Sequence, residues 1–276
     1  MESGMGRTKP KTLSQGVLIF AFNNEATDYI AMAAWSAKNI RRHLNLPVAV
    51  VTDAPEAAAQ NKFEHIIITV PDTGGSRHFA DYNATVTWHN AGRINAYELS
   101  PFDQTIVLDA DYVVASDALL DVLKIPQQFA AFKDSLDVAN LTDLNTFGAH
   151  HMPMWWATVM MFRRGNISQY IFDSMQMIRN NWQHYRDLYG IRQSNYRNDH
   201  ALSIALGLVT GAEQSVHEIY GSMVNIMPEP RLTWIEQDHY QVEYINADGQ
   251  LKTMSWKGMD FHAMGKRHLE AIVAAH

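Results

Sequence analysis

Residues 16–53 constrain the fold more than any other stretch. Residues 16–22 (GVLIFAF) form an apolar run ending in Asn23-Asn24, the pattern of a strand buried on both faces. Residues 27–44 then place Ile30, Ala33, Ala34, Ala37, Ile40 and Leu44 at helical spacing. Arg41, Arg42 and His43 fall in the last turn, where the helix dipole favours cations, and Pro47 stops the helix. Residues 48–52 (VAVVT) are a second apolar strand, and residues 63–70 (FEHIIITV) a third. Strand, helix and strand joined by short connections make a right-handed βαβ unit, so the chain opens as a Rossmann-like α/β protein.

Further along, residues 71–76 read as a loop and residues 85–99 as a helix carrying Arg93. Residues 105–108 (TIVL) are a fourth buried strand, and Asp117 is the expected N-cap of a helix through Leu123. Residues 129–132 fit a strand, residues 134–153 read as mostly loop, and residues 156–162 (WATVMMF) fit another strand. Asn166 and Asn198 are expected to cap two more helices. Strand-like pieces at 241–245 and 251–256 flank an Asp248-Gly249 turn. The expectation is an α/β fold with a mostly parallel central sheet flanked by helices, in a single domain over 15–276. A polar, basic segment (Arg7, Lys9, Lys11) makes 1–14 a flexible tail rather than a secretory signal.

Composition removes several classes of function. The 276 residues contain no cysteine, which excludes disulfide scaffolds, thiolate zinc sites and cysteine nucleophiles. Hydrophobic residues make up 47%, enough apolar surface to exclude disorder as the main state. Twenty-two Lys and Arg against 29 Asp and Glu give a net charge of −7, which disfavours wholesale polyanion binding but leaves local patches open. No run approaches a membrane span, so the reading is a cytoplasmic protein with no membrane partner; the oligomeric state is not legible.

The sharpest chemical feature is Asp109-Ala110-Asp111, directly after the fourth strand. In open α/β sheets the ligand crevice lies at this carboxyl end. Two carboxylates two residues apart repel each other unless they share a cation. A hard divalent ion completed by phosphate oxygens meets that need. Neutralising either carboxylate is accordingly expected to stabilise the metal-free chain slightly. The plain alternative is a turn in which Asp109 caps and Asp111 is solvated. A phosphatase of the haloacid dehalogenase type carries a similar pair, but near the domain's start and with a later acidic cluster, which this chain lacks.

The chain resembles glycosyltransferases of the GT-A fold, most closely those of glycosyltransferase family 8, from Val17 to about Lys266. The likeness is carried by the first strand ending in Phe22-Asn23, by Arg93 ahead of the fourth strand, by residues 106–114 (IVLDADYVV) and by Phe261-His262-Ala263-Met264-Gly265, similar to the family's late H-x-x-G. The resemblance implies a nucleoside-diphosphate sugar as donor. It implies Mn²⁺ or Mg²⁺ on Asp109, Asp111 and His262, the imidazole suiting manganese better. Phe22, Asn23, Arg93, Ala110, Gly265 and Lys266 would contact the donor. Asp199, opening a helix, would serve as base or sugar-positioning carboxylate, and transfer would retain configuration. The sequence departs from the pattern at one place: the family sets a lysine three residues after the glycine, where His268 stands, whereas Lys266 follows Gly265 directly.

The acceptor is read from residues 162–200, where Arg163, Arg164, Arg179, Arg186, Arg192 and Arg197 face Asp173, Asp187 and Asp199, with tyrosines interleaved. Basic residues with aromatics suit nucleic acid. The stretch resembles that of glycosyltransferase-like proteins of tailed bacteriophages, which implies DNA with hydroxymethylated bases as acceptor. Trp155, Arg186 and Arg192 are the candidate acceptor contacts, and Trp156 reads as core. Solvated arginine faces and a glycan, protein or lipid acceptor stay open. So do two other functions, a nucleotidyltransferase and a silent nucleotide-sugar-binding module.

Overall fold

The structure, a computed structural model, describes residues 13–71, 75–79, 83–139, 145–210 and 216–276. Most of the expected tail 1–14 therefore lies outside the described residues, as do 72–74 of the expected loop at 71–76. β1 (Gln15–Phe20), α1 (Tyr29–Leu44), β2 (Val48–Thr52), α2 (Pro55–Ala59) and β3 (His65–Ile68) form the expected parallel start. Asp28 caps α1 by accepting from Ala31 N at 3.0 Å, and Asn45 ends it in the left-handed region at φ 52°. Its apolar face, including Ile30, Ala33, Ala37 and Ile40, is buried.

Residues 85–99 are not one helix. β4 (Gly75–Phe79) and β5 (Ala84–Trp88) make an antiparallel hairpin, followed by a 3₁₀ turn (Asn90–Asn95) and α3 (Ala96–Leu99). The β-branched run Thr85-Val86-Thr87 fits a pleated strand better than a helix, and its pairing partner at Gly75–Phe79 supplies the tertiary contact. β6 (Gln104–Leu108) is fully buried and ends at Asp109, and β7 (Tyr112–Val113) follows. α4 (Leu119–Val122) is capped at Ala118 without a side-chain bond, so Asp117 is not its N-cap.

β8 (Phe129–Phe132) is the expected strand. The expected loop at 134–153 instead holds three short strands, β9 (Ser135–Asp137), β10 (Thr146–Phe147) and β11 (Met152–Pro153). Strands this short carry no period of their own: β9 is fixed by its distant partner β14, and β10 and β11 by pairing with each other. β12 (Trp156–Arg163) leads to α5 (Asn166–Asn180), whose N-cap is Gly165 rather than Asn166. α6 (Trp182–Leu188), α7 (Asn198–Thr210), β13 (Val216–Glu218), β14 (Met223–Ile226), β15 (Arg231–Glu236), β16 (His239–Ile245), β17 (Leu251–Lys257), β18 (Phe261–Ala263) and α8 (Lys266–Ala274) complete the chain.

The central sheet has the order β13-β8-β12-β6-β1-β2-β3 and is flanked by helices. β12 runs antiparallel to both β6 and β8; the other pairings are parallel. β12 also slips in register against β8 between Trp156 and Met160, and its ladder with β6 starts only at Val159. The main chain at Ala157 is thereby freed from both neighbours. A second sheet, β7-β18-β14-β9, is small but sets the site, because it pairs His262 with Tyr112 on one side and with Asn225 on the other. The meander β15-β16-β17 stands apart from both. Among the described residues no helix is long and apolar enough to cross a membrane.

Candidate active site

Asp109 leaves the end of β6 and Asp111 precedes β7, so the turn between them throws both carboxylates toward β18. Ligand atoms of Asp109, Asp111 and His262 all lie within 4.8 Å of one another. His262 Nε2 is 3.4 Å from Asp111 Oδ2 and 4.0 Å from Asp109 Oδ2. Ala263 N donates to Asp111 O at 3.0 Å, locking β18 to the turn. The imidazole is oriented from behind. Asn225 Nδ2 donates to Ser135 Oγ at 2.6 Å, which turns its Oδ1 to His262 Nδ1 at 3.0 Å. Nδ1 is then the donor, and Nε2 is directed at the carboxylates, the arrangement metal-ligating histidines adopt.

Each carboxylate also has its own buried cation. Arg93 Nη2 pairs with Asp109 Oδ1, and Arg93 Nη1 donates to Ala157 O at 2.6 Å. Lys266 Nζ pairs with Asp111 Oδ2 and donates to Ala263 O at 3.3 Å. Burial pushes Asp111 up, but Lys266 and His262 outweigh it and hold its carboxyl well below the usual range. Burial brings the Arg93 guanidinium down to about 10, against Asp199 and Asp111, which raise it, so it stays charged at neutral pH. This pairing reverses one expectation. The two aspartates do not face each other uncompensated, and neutralising either strands a buried cation.

These groups line a cavity with about 930 Å³ of empty volume, its open mouth included. Phe22, Arg93, Asp109, Ala110, Asp111, Asp199, His262 and Lys266 line it. Asn23 and Gly265 do not. Asn23 Oδ1 accepts from Ile30 N at 3.0 Å and holds the first turn of α1, and Gly265 is the N-cap of α8. Asn24, Arg77, Trp88 and His89 line the cavity without having been singled out, and so do Arg197, read as part of the acceptor stretch, and Met264 of the H-x-x-G phrase.

Asp199 sits in the first turn of α7. Its Oδ1 accepts from Ala157 N at 2.9 Å and its Oδ2 from Arg197 Nη2 at 2.9 Å. Burial raises its pKa, but Arg197, the Ala157 N–H, Arg93 and His200 outweigh it, and the carboxyl lies below its ordinary value. It is therefore a reluctant proton acceptor and a firm negative charge in the wall.

A second cavity adjoins the first across Trp156, Arg197 and Met264. Gly148 and Gly190 form its rim at positive φ, and a Cβ on Gly148 would strike Tyr189 O at 2.3 Å, so the turns meet only as glycines. Arg192 lines this cavity and Arg186 does not; Arg186 Nη2 lies 3.4 Å from Asp187. Trp156, read as core, is buried yet lines both cavities, while Trp155 lines neither and has Lys133 Nζ 6.0 Å from its ring centroid. The arginines of 162–200 do not share one face. Arg163 donates to Pro126 O and Ile125 O, Arg164 to Ser100 O and Phe102 O, and Arg197 to Asp199.

No family model matches the chain, and no curated protein matches it. Among solved structures it is similar to the galactosyltransferase LgtC in complex with donor and acceptor sugar analogs, at 17% identity over 77% of this chain and 76% of that one, with a TM-score of 0.47. It is similar to the glycosyltransferase GlyE of Streptococcus pneumoniae TIGR4 at 14% identity, over 76% of this chain and 46% of that one, with a TM-score of 0.45. The apo form of mouse xyloside xylosyltransferase 1 is similar at 11% identity over 75% and 85%, with a TM-score of 0.45. The chain thus spans less than half the length of GlyE.

Proposed function

We propose that the chain is a metal-dependent glycosyltransferase that moves a sugar from a nucleoside-diphosphate sugar to an acceptor hydroxyl. The observation that carries it is the Asp109, Asp111 and His262 trio at the carboxyl end of β6, with Lys266 and Arg93 beside it in one cavity. Two carboxylate oxygens and an imidazole nitrogen backed by Asn225 are a donor set for Mn²⁺, or with less preference Mg²⁺. When bound there, the ion supplies charge neutralisation for the departing diphosphate.

The chain's own residues provide the rest. Phe22 and Trp88 offer apolar walls to the nucleoside. Lys266 and Arg93 add positive charge where the leaving group gains negative charge. The bond from sugar C1 to the diphosphate oxygen breaks, the acceptor oxygen bonds to C1 on the same face, and the acceptor's proton passes to the departing diphosphate oxygen. Asp199, held ionised by Arg197, is better suited to stabilise a sugar that gains positive charge than to take that proton. This role accords with transfer that retains configuration.

The acceptor hydroxyl enters from the second cavity, past Trp156. Arg192 lines that cavity and would meet phosphates if the hydroxyl belongs to a hydroxymethylated DNA base; Arg186, on α6 and paired with Asp187, would meet them only outside it. A free glycan needs neither.

A nucleotidyltransferase fits less well. A triphosphate cradle after β1 needs open N–H groups at the start of α1. Here Asn24 Oδ1 accepts from Ala26 N and Thr27 N, Asn23 Oδ1 from Ile30 N, and Asp28 Oδ1 from Ala31 N. The test is incubation with a panel of nucleotide sugars and Mn²⁺, read by mass spectrometry. Slow release of nucleoside diphosphate supports the proposal. Pyrophosphate released from a triphosphate points to the nucleotidyltransferase, and binding without turnover to a silent module.

A further inference from the structure

Lys266 is the first residue of α8, at the end of a helix that favours anions and disfavours an ammonium group. It is buried nonetheless, and its nitrogen is held by Asp111 Oδ2 and Ala263 O. Asp109 is matched in the same way by Arg93. In the free protein the two carboxylates and these two cations therefore cancel. A divalent ion added alone would leave two uncompensated positive charges in a buried site, which is costly. A nucleotide sugar's diphosphate carries two negative charges, so ion and diphosphate arriving together leave the cluster neutral. The N-terminus of α8, where Lys266 already stands, is a natural seat for phosphate oxygens.

We propose that Lys266 is a resident stand-in for the divalent ion. It occupies Asp111 until metal and diphosphate enter as a pair, and it then passes from the carboxylate to the diphosphate. This rests on the metal and nucleotide reading above. Lys266 thus has two opposed effects. It weakens binding of metal alone and strengthens binding of metal with nucleotide. The missing lysine three residues beyond Gly265 becomes intelligible, because a lysine at the helix start reaches Asp111 directly.

The experiment is titration of Mn²⁺, followed by loss of the free-ion paramagnetic resonance signal, with and without UDP, GDP or ADP. The wild-type chain, Lys266→Gln and Lys266→Arg are compared, each checked by circular dichroism. Lys266→Gln should bind Mn²⁺ alone about tenfold more tightly than wild type and gain little from the diphosphate, while Lys266→Arg behaves as wild type. Unchanged or weaker Mn²⁺ binding by a folded Lys266→Gln overturns the proposal. The unaltered protein carries a parallel test: Mn²⁺ and the effective nucleotide must each tighten the other by about tenfold or more, and independent binding overturns the proposal. If the wild type binds Mn²⁺ with none of the three nucleotides, the metal and nucleotide reading falls first and takes the stand-in role with it.

Discussion

His262 Nδ1 lies 3.0 Å from Asn225 Oδ1, a contact between two strands 37 residues apart that aims the other ring nitrogen at Asp109 and Asp111. Removing the partner frees the ring to rotate. Asn225→Ala should therefore lower Mn²⁺-dependent nucleotide affinity by about 10- to 100-fold, at a cost of about 1–3 kcal/mol in stability because Ser135 Oγ and His262 Nδ1 lose their buried partner. Calorimetry on the folded variant checks it; wild-type affinity would show that the ring does not need this support.

Asp111→Asn removes a metal oxygen and strands Lys266. Nucleotide binding should lose its Mn²⁺ dependence, and the metal-free protein should be less stable by about 3–5 kcal/mol. Adding Lys266→Met should recover part of that loss, because the stranded charge goes too. Denaturant melts of the two variants decide it, and a single variant more stable than wild type contradicts the pairing.

Asp199→Asn keeps an oxygen for Ala157 N but loses the charge beside Arg197. We expect transfer to slow on the order of a hundredfold, with metal and nucleotide affinity nearly unchanged. A kcat measured against KM separates this from a general loss of fold, which would lower both nucleotide binding and turnover.

His200 is stacked between Phe147, 4.6 Å away, and Trp182, 6.2 Å away. Burial, with Arg197, lowers its pKa from 6.5 to about 4, against a raising effect of Asp199. The unfolded chain thus takes up a proton below about pH 6.5 that the folded chain refuses until about pH 4. Stability is complete above this window and falls with pH through it, by at most about 3 kcal/mol. His200→Phe should flatten the profile there; an unchanged profile in stability measured from pH 7 to 4 would assign the loss to other groups.

Charge reversal at Arg186 and Arg192 separates acceptor classes. With a DNA acceptor, the slope of log affinity against log salt should become shallower by about 0.9 for each phosphate that an arginine no longer neutralises, while donor hydrolysis persists. With a glycan acceptor, DNA affinity is negligible before and after. Arg164→Ala serves as the contrast, since its bonds to Ser100 O and Phe102 O predict a drop in stability without a change in salt slope.

The parallel start and the aspartate pair were legible because each is written in contiguous residues: apolar runs, a helical stripe, and two carboxylates at a strand end. His262 was reached only through the phrase it shares with a family. Arg197 reads as part of the acceptor stretch rather than as the partner of Asp199, and Asn225 and Ser135 were not legible, because strand pairings far apart in the sequence bring them to the site. The helix expected over 85–99 failed for the same reason, its β-branched start being claimed by Gly75–Phe79. Trp155 and Trp156 differ by one residue, but Trp155 stands just before β12 and Trp156 opens it, a boundary that no local pattern marks.

Ala157 has no functional group, yet its N–H holds Asp199 and its C=O holds Arg93. Both ends of one residue's main chain thus meter the spacing between the two halves of the cleft. An alanine scan skips this position, and most small replacements there will pass unnoticed. Only a change that removes the amide hydrogen, such as proline or an ester in place of the amide, will expose the residue. The catalogue of cleft positions obtained by side-chain mutagenesis will therefore be one short, and the absent member is the one from which Asp199 and Arg93 take their places.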